Sequence, residues 1–402
     1  MAGIVNAIGF GVLALSLVPL GKSFFPDPVQ YTTTVRIHAG EVQSGEESFN
    51  TGGNVPGVGV FDGNGGRIGF MSGTRKGKID QDNWHDVAVN PVNSHNNADA
   101  EYISVSGGGT DAICISHIEV TTAGGSQFQF YGDVPKTCGL AWYHSKDYVT
   151  LQQAYSYSPS CFWITSPNDN GKRSGMSADL PDGFPQGISF RILDFQSGNT
   201  NRAQQYVDHP ETMCQSTPRF KAYQNLTEMN CVPYYDQPMA ETSNFTDADF
   251  AALKTDGKVA CAPGPNDPVT TQQKNQLEQI TFGRAGANAP AYGAKARSEP
   301  VDINKRTGNS TCNNHQIVVS DYDLHSATEL CNSATSIGPD FVSTKEDFFC
   351  DMCAHELWPL CSPTINQACF DMTSMTIKAG TGSLGSREVP TKKYKRTIQW
   401  RK

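Results

Sequence analysis

Residues 348–370 read FFCDMCAHELWPLCSPTINQACF, and they hold four cysteines, Cys350, Cys353, Cys361 and Cys369, with His355 between them. Three chemistries use such a pattern. A structural zinc site requires a second cysteine pair or a histidine pair at finger-like spacing, and His355 stands without either. A thioredoxin-like redox pair requires a strand before it and a long helix after it, and Pro359 and Pro363 break such a helix. Disulfides remain. The other eight cysteines, Cys114, Cys138, Cys161, Cys214, Cys231, Cys261, Cys312 and Cys331, bring the count to twelve, an even number that fits an oxidised framework. No metal and no cofactor is expected.

Other reactive groups are sparser. Asp321, Asp323 and His325 would share one face of an extended segment, as a general base or small cation site requires. They also precede a capping box, Ser326 to Glu329, and read equally as polar dressing of a helix entry. His85, His144 and His355 each follow or flank a residue that suggests a half-buried structural role. The run from Asp62 to Gly66 opens like a calcium loop, but Gly73 occupies the position of the bidentate glutamate, so a hairpin turn is expected. The turn at 106–111 lacks the Gly-Lys-Ser/Thr of a phosphate loop. There is no nucleophile elbow, no His-Glu-x-x-His and no dinucleotide fingerprint; a glycosidase carboxylate pair has no such signature. Catalytic residues are therefore unassigned. For binding, Trp84, Tyr102, Trp142 and Tyr143 are the candidate rings for stacking on a sugar face.

The elements that would carry these groups are mostly strands. In 402 residues there are 38 glycines and 23 prolines, and 18% of residues are charged, a turn-rich composition. Ten short runs between Tyr31 and Phe195 read as strands, several alternating with period two. In DAICISHIEV the alternation places Ala112, Cys114, Ser116, Ile118 and Val120 on one face, and Ile113, Ile115, His117 and Glu119 on the other. The fold expected is mainly β. A jelly-roll-like β-sandwich at 31–198 precedes a smaller, disulfide-stapled irregular α+β region. Between them lie a cysteine-containing extension at 199–261, with a short helix over 199–214 and helical composition at 247–253, and a polar Pro/Gly-rich linker at 262–311, helical in composition at 272–280. The C-terminal cysteine-rich module spans 312–390. A basic tail at 391–402, TKKYKRTIQWRK, carries six basic residues and no acidic one, and reads as a solvated end or a contact for an anionic surface.

The compartment is read from the start. No charged residue occurs from Ile4 to Gly21, so residues 1–23 form a signal peptide or a signal anchor, and no membrane contact beyond this segment is expected. Asn225, Asn244 and Asn309 head glycosylation sequons in polar surroundings. Lys305-Arg306 is a dibasic pair of the kind cut by secretory processing proteases. A net charge of −9 argues against a nucleic-acid partner.

The segments DAICISHIEV, GDVPKTCGLAWYHS, ETMCQSTPRF and GPDFVSTKEDFFCDM, in this order, resemble those of a family of secreted, cysteine-containing extracellular proteins of filamentous ascomycete fungi. The resemblance spans nearly the whole chain. It implies a secreted fungal protein and no particular activity, and it sets Cys353 apart as a cysteine particular to this chain and paired locally. The reading is a secreted, disulfide-bonded, non-catalytic glycoprotein that binds a ligand such as a cell-wall or host glycan. The alternatives are an extracellular hydrolase with unrecognised carboxylates and a secreted effector processed at Lys305-Arg306.

Overall fold

The computed structural model describes residues 24–42, 50–92, 99–109, 111–147, 149–150, 156–165, 185–196, 200–208, 210–214, 216–223, 231–235, 258–261, 316–378, 380 and 392–401. The signal segment, the linker, Cys312, the three sequons, Lys305-Arg306 and the helices expected at 247–253 and 272–280 lie outside them.

Two five-membered strand rows face each other, as the alternating runs predict. One sheet is ordered Trp142–Tyr143, Cys161–Ile164, Ile113–Thr121, Thr33–Ala39, Trp84–Val89, with Gln127–Tyr131 also paired to Ile113–Thr121. The other is ordered Phe220–Tyr223, Gly187–Arg191, Tyr102–Ser106, Gly57–Phe61, Arg67–Met71. Val35 and Ile37 from the first sheet and Val58, Val60, Ile103 and Val105 from the second belong to one buried core. Phe130 and Phe190 stack across it with ring centroids 4.1 Å apart. The turn at Asp62–Gly66 is the expected hairpin: the Asp62 carboxylate accepts the N–H groups of Asn64 and Gly66.

The central strand departs from simple alternation. Opposite Thr33–Ala39 its register steps from His38↔His117 to Ala39↔Ile115, leaving Ser116 as an inserted residue. Such a bulge reverses the side-chain parity beyond it. Ile113, Ile115, Ile118 and Val120 consequently all face the sandwich core, while Cys114 joins a different cluster. The face assignment read from strict alternation is therefore corrected: Ile118 and Val120 share a face with Ile113 and Ile115.

The helix expected over 199–214 is two, Thr200–Asp208 and Pro210–Cys214, broken before Pro210. Cys138–Cys214 ties them to the sandwich. A buried charge group does the same: Asp194 meets Arg191 at 3.6 Å, Arg219 at 3.4 Å, and Arg202 from the helix.

The C-terminal residues form a mixed sheet, ordered Glu356–Pro359, Phe348–Asp351, Asp340–Ser343, Gln316–Ser320, Arg396–Trp400. The basic tail is not a solvated end. Arg396–Trp400 pairs in parallel with Gln316–Ser320, Ile398 and Trp400 are buried, and Lys392 lies 2.7 Å from Asp340 and 2.5 Å from Asp351. In the strand Ile398 and Trp400, two residues apart, take the inward positions and Thr397 and Gln399 the outward ones, while Lys392 turns in to the two buried carboxylates. The cysteine-rich stretch is stapled by Cys331–Cys350 and Cys361–Cys369. Cys350 reaches back to the helix Ala327–Asn332 rather than to Cys353, which is outside the four described bridges. At that helix Ser326 accepts the Glu329 N–H at 2.9 Å, as the capping box predicts, but Glu329 turns to Lys136 of the sandwich at 2.8 Å.

Sandwich and C-terminal sheet share one core, in which Trp142, Tyr143 and Trp163 pack with Phe341, Ile398 and Trp400. Hydrogen bonds of 2.8 Å from Trp142 Nε1 to Ser333 Oγ, from Tyr143 O–H to the Pro339 carbonyl and from Trp400 Nε1 to the Val42 carbonyl satisfy the polar ends of these rings. At the same junction His144 and His325 stack at 4.9 Å. Burial pushes His144 down to about 3 and His325 well below its ordinary value, so both are neutral in the fold. The unfolded chain, with imidazoles near ~6.5, binds these protons first, so stability is full above that pH and is lost as pH falls towards 3. Urea unfolding at pH 7 and pH 5.5 is expected to show a loss of about 1 kcal/mol per histidine. In His144→Phe the slope should flatten; an unchanged slope would remove this junction from the acid response.

Candidate functional site

The strand Thr33–Ala39 turns Val35 and Ile37 inward, which leaves Arg36 and His38 on the outer face of the first sheet. Register then decides their neighbours. His38 stands opposite Trp84 on one side and His117 on the other, and His117 stands opposite Tyr131. Four rings thus form a row across four strands. His38 and His117 stack at 3.9 Å, and His38 and Trp84 at 5.4 Å. The next row sets Asp86, Arg36 and Glu119 side by side; Arg36 grips Asp86 through two hydrogen bonds of 2.6 and 2.8 Å.

Exposure falls steeply along the ring row, from 51% at Trp84 to 7% at His38 and 0% at His117 and Tyr131. Beneath it Glu119, also wholly buried, lies 3.2 Å from His38 Nε2 and 3.0 Å from His117 Nε2. None of these nitrogens or Glu119 oxygens makes an aligned hydrogen bond among the described residues. The contacts are close in distance and poor in direction. Burial alone would raise the Glu119 carboxyl, but the charges of His38 and His117 hold it down at about 2. Burial opposes the charge on His117, yet Glu119 and Asp147 raise its pKa above the ordinary value.

Asp147 arrives from the segment after Tyr143. Its Oδ2 is 3.5 Å from His117 Nδ1 and accepts a 2.6 Å hydrogen bond from Ser116 Oγ. Ser145 fixes this segment, its Oγ accepting the N–H groups of Glu41 and Asp147. Glu41 and Asp82 stand further out, and burial together with neighbouring carboxylates raises both. Ser116, His117 and Glu119 carry a hydroxyl, an imidazole and a carboxylate in hydrolase order. Ser116 Oγ also lies 2.9 Å from His117 Nδ1, but it is wholly buried and its proton is donated to Asp147, so no nucleophile is presented to solvent.

Of the rings singled out in the sequence, Trp84 is exposed, whereas Tyr102, Trp142 and Tyr143 are buried in the cores. Asp321, Asp323 and His325 do not converge: Asp323 pairs with Lys345 at the surface, and His325 turns inward to Ser320 and Ser158. The sequence reading missed His38, His117, Glu119 and Asp147. A signal was present in Arg36-Ile37-His38 and His117-Ile118-Glu119, where charged groups alternate with core residues. The pairing of those two strands was not legible.

No protein-family model matches the chain, and no curated protein matches it in sequence.

Glu119 has an unfolded-state pKa near ~4.3, so its depressed native value contributes stability above that pH and loses it as pH falls towards 2. Glu119→Gln is expected to remove this acid limb and to shift His117 to a lower titration midpoint in NMR. An unmoved His117 midpoint would show that Glu119 does not set its charge.

Proposed function

We propose that this is a secreted, disulfide-braced, non-catalytic protein that binds a glycan at the outer face of its first sheet, with Trp84 as the platform. The carrying observation is the indole itself: it is half exposed while stacked on His38, and the Arg36 guanidinium carbon lies 5.5 Å from its ring centroid. A ring clamped on its protein side loses little entropy on binding and offers its free side to the C–H face of a sugar. The exposed carboxylate of Asp86, which Arg36 orients, supplies a hydrogen-bond acceptor for sugar hydroxyls beside that ring. Four disulfides among the described residues are compatible with an extracellular protein, and the apolar first 23 residues and three sequons support secretion. The resemblance to secreted proteins of filamentous ascomycetes agrees with a wall or host surface as the place of action. No helix among the described residues is long and apolar enough to cross a membrane.

Co-sedimentation of the secreted protein with insoluble chitin, β-glucan and cellulose tests this reading. Binding to one of them should weaken tenfold or more in Trp84→Ala, with the circular dichroism spectrum unchanged. Equal retention of the variant and the wild type, or retention of neither, would overturn it.

A further inference from the structure

His38, His117 and Asp147 bring two imidazoles and a carboxylate together from three separate pieces of chain. One ligand atom from each lies within 4.8 Å of the others, and all three residues are buried. We propose that these three residues bind a zinc-type divalent cation, with Glu119 as the positioning residue behind the two imidazoles.

Three observations support this. The first is the donor set. Imidazole with carboxylate suits zinc, copper and nickel, whereas calcium and magnesium take oxygen ligands. The second is the unaligned contact of Glu119. Histidines that bind a metal through one ring nitrogen commonly present the other to a carboxylate, which fixes the ring and its tautomer. His117 does this geometrically, with Nε2 at Glu119 and Nδ1 towards Asp147. The Glu119 oxygens and His117 Nε2 lack aligned partners among the described residues, while His117 Nδ1 lies 2.9 Å from Ser116 Oγ, a contact that a cation on Nδ1 would replace. The third is charge. A cation displaces the protons of the two imidazoles, and its two charges then take over their compensation of Glu119 and Asp147 in the buried pocket.

The geometry requires a small closure. Zinc bonds of about 2.1 Å set ligand atoms roughly 3.4 Å apart, closer than the widest spacing here. Asp147 Oδ2 and His117 Nδ1, 3.5 Å apart, already have about that spacing, so the closure is a side-chain rotation that brings His38 to them. His38 and Asp147 side chains are 10% and 11% exposed, which gives the cation an entrance and leaves a coordination position for water. Asp82 stands at that entrance, with Glu41 beside it paired to Lys146 at 3.4 Å. This inference stands independently of the glycan reading: Trp84→Ala should lose glycan while keeping saturable zinc binding.

Calorimetric titration of the chelator-treated secreted protein is expected to give one Zn²⁺ per chain, with no comparable heat from Ca²⁺. His117→Ala and Asp147→Asn should weaken binding a hundredfold or more, and Glu119→Gln about 10- to 100-fold, as for outer-shell partners. Since these variants alter buried residues, the wild type supplies the second readout. On adding Zn²⁺, the ¹⁵N resonances of the His38 and His117 imidazoles should move while that of exposed His85 stays. Absence of saturable Zn²⁺ binding by the folded wild type would overturn the assignment. Shifts confined to His85, or equal affinity in all folded variants, would overturn it too.

Discussion

The strand Ile113–Thr121 is buried at all nine positions, and that burial is the constraint from which the rest follows. An apolar strand meets such a demand by burial alone. This one carries Ser116, His117 and Glu119, each of which must find polar partners away from water. The bulge at Ser116 resolves the conflict. It lets Ile115 and Ile118 both enter the sandwich core while His117 and Glu119 turn to the opposite face, where His38, Arg36 and Asp147 compensate them. The same reversal sends Cys114 to the second core, bonded to Cys161. One inserted residue thus divides a single strand between a hydrophobic layer, a charge cluster and a disulfide.

A consequence is that the two halves of the chain are not separate bodies, although the four described bridges close within one half or the other. The rings at the junction join them: a Cβ at Gly338 would lie 2.2 Å from the Tyr143 ring, so the helix-to-strand turn after Asn332 packs directly on the sandwich. Trp400, almost the last residue, donates to Val42, near the start of the described chain. Contacts of such high sequence separation carry a large loop-closure cost, which the burial of these rings must offset.

What was legible in the sequence is what is local. Period-two runs, the Asp62 hairpin and the Ser326 cap each depend on residues within a few positions of one another, and each is present. The parity of the central strand was misread because a bulge leaves no mark in the residue types. The tail was misread because six basic residues outweigh Ile398 and Trp400 in composition, although those two decide its burial. The charge cluster was missed for a different reason. Its members are set side by side by register, and register follows from the packing of all strands together rather than from any one.

The redox compartment and the outer-face cluster are also physically linked. A Cβ on Gly40 would fall 2.9 Å from Cys161 Cβ and 3.0 Å from Ser145 Oγ, so the chain just past His38 runs against the Cys114–Cys161 bridge and against the segment that delivers Asp147. Gly40 allows that approach because it has no side chain. Its N–H donates to the Cys114 carbonyl at 2.8 Å, and Ser145 Oγ ties the next residue, Glu41, to Asp147. The bridge holds the two strands that converge behind this point. Reduction would free Cys161 from Cys114 at the place where Gly40 and Ser145 pack against it. The segments that carry His38 and Asp147 to the cluster are therefore built against this bridge.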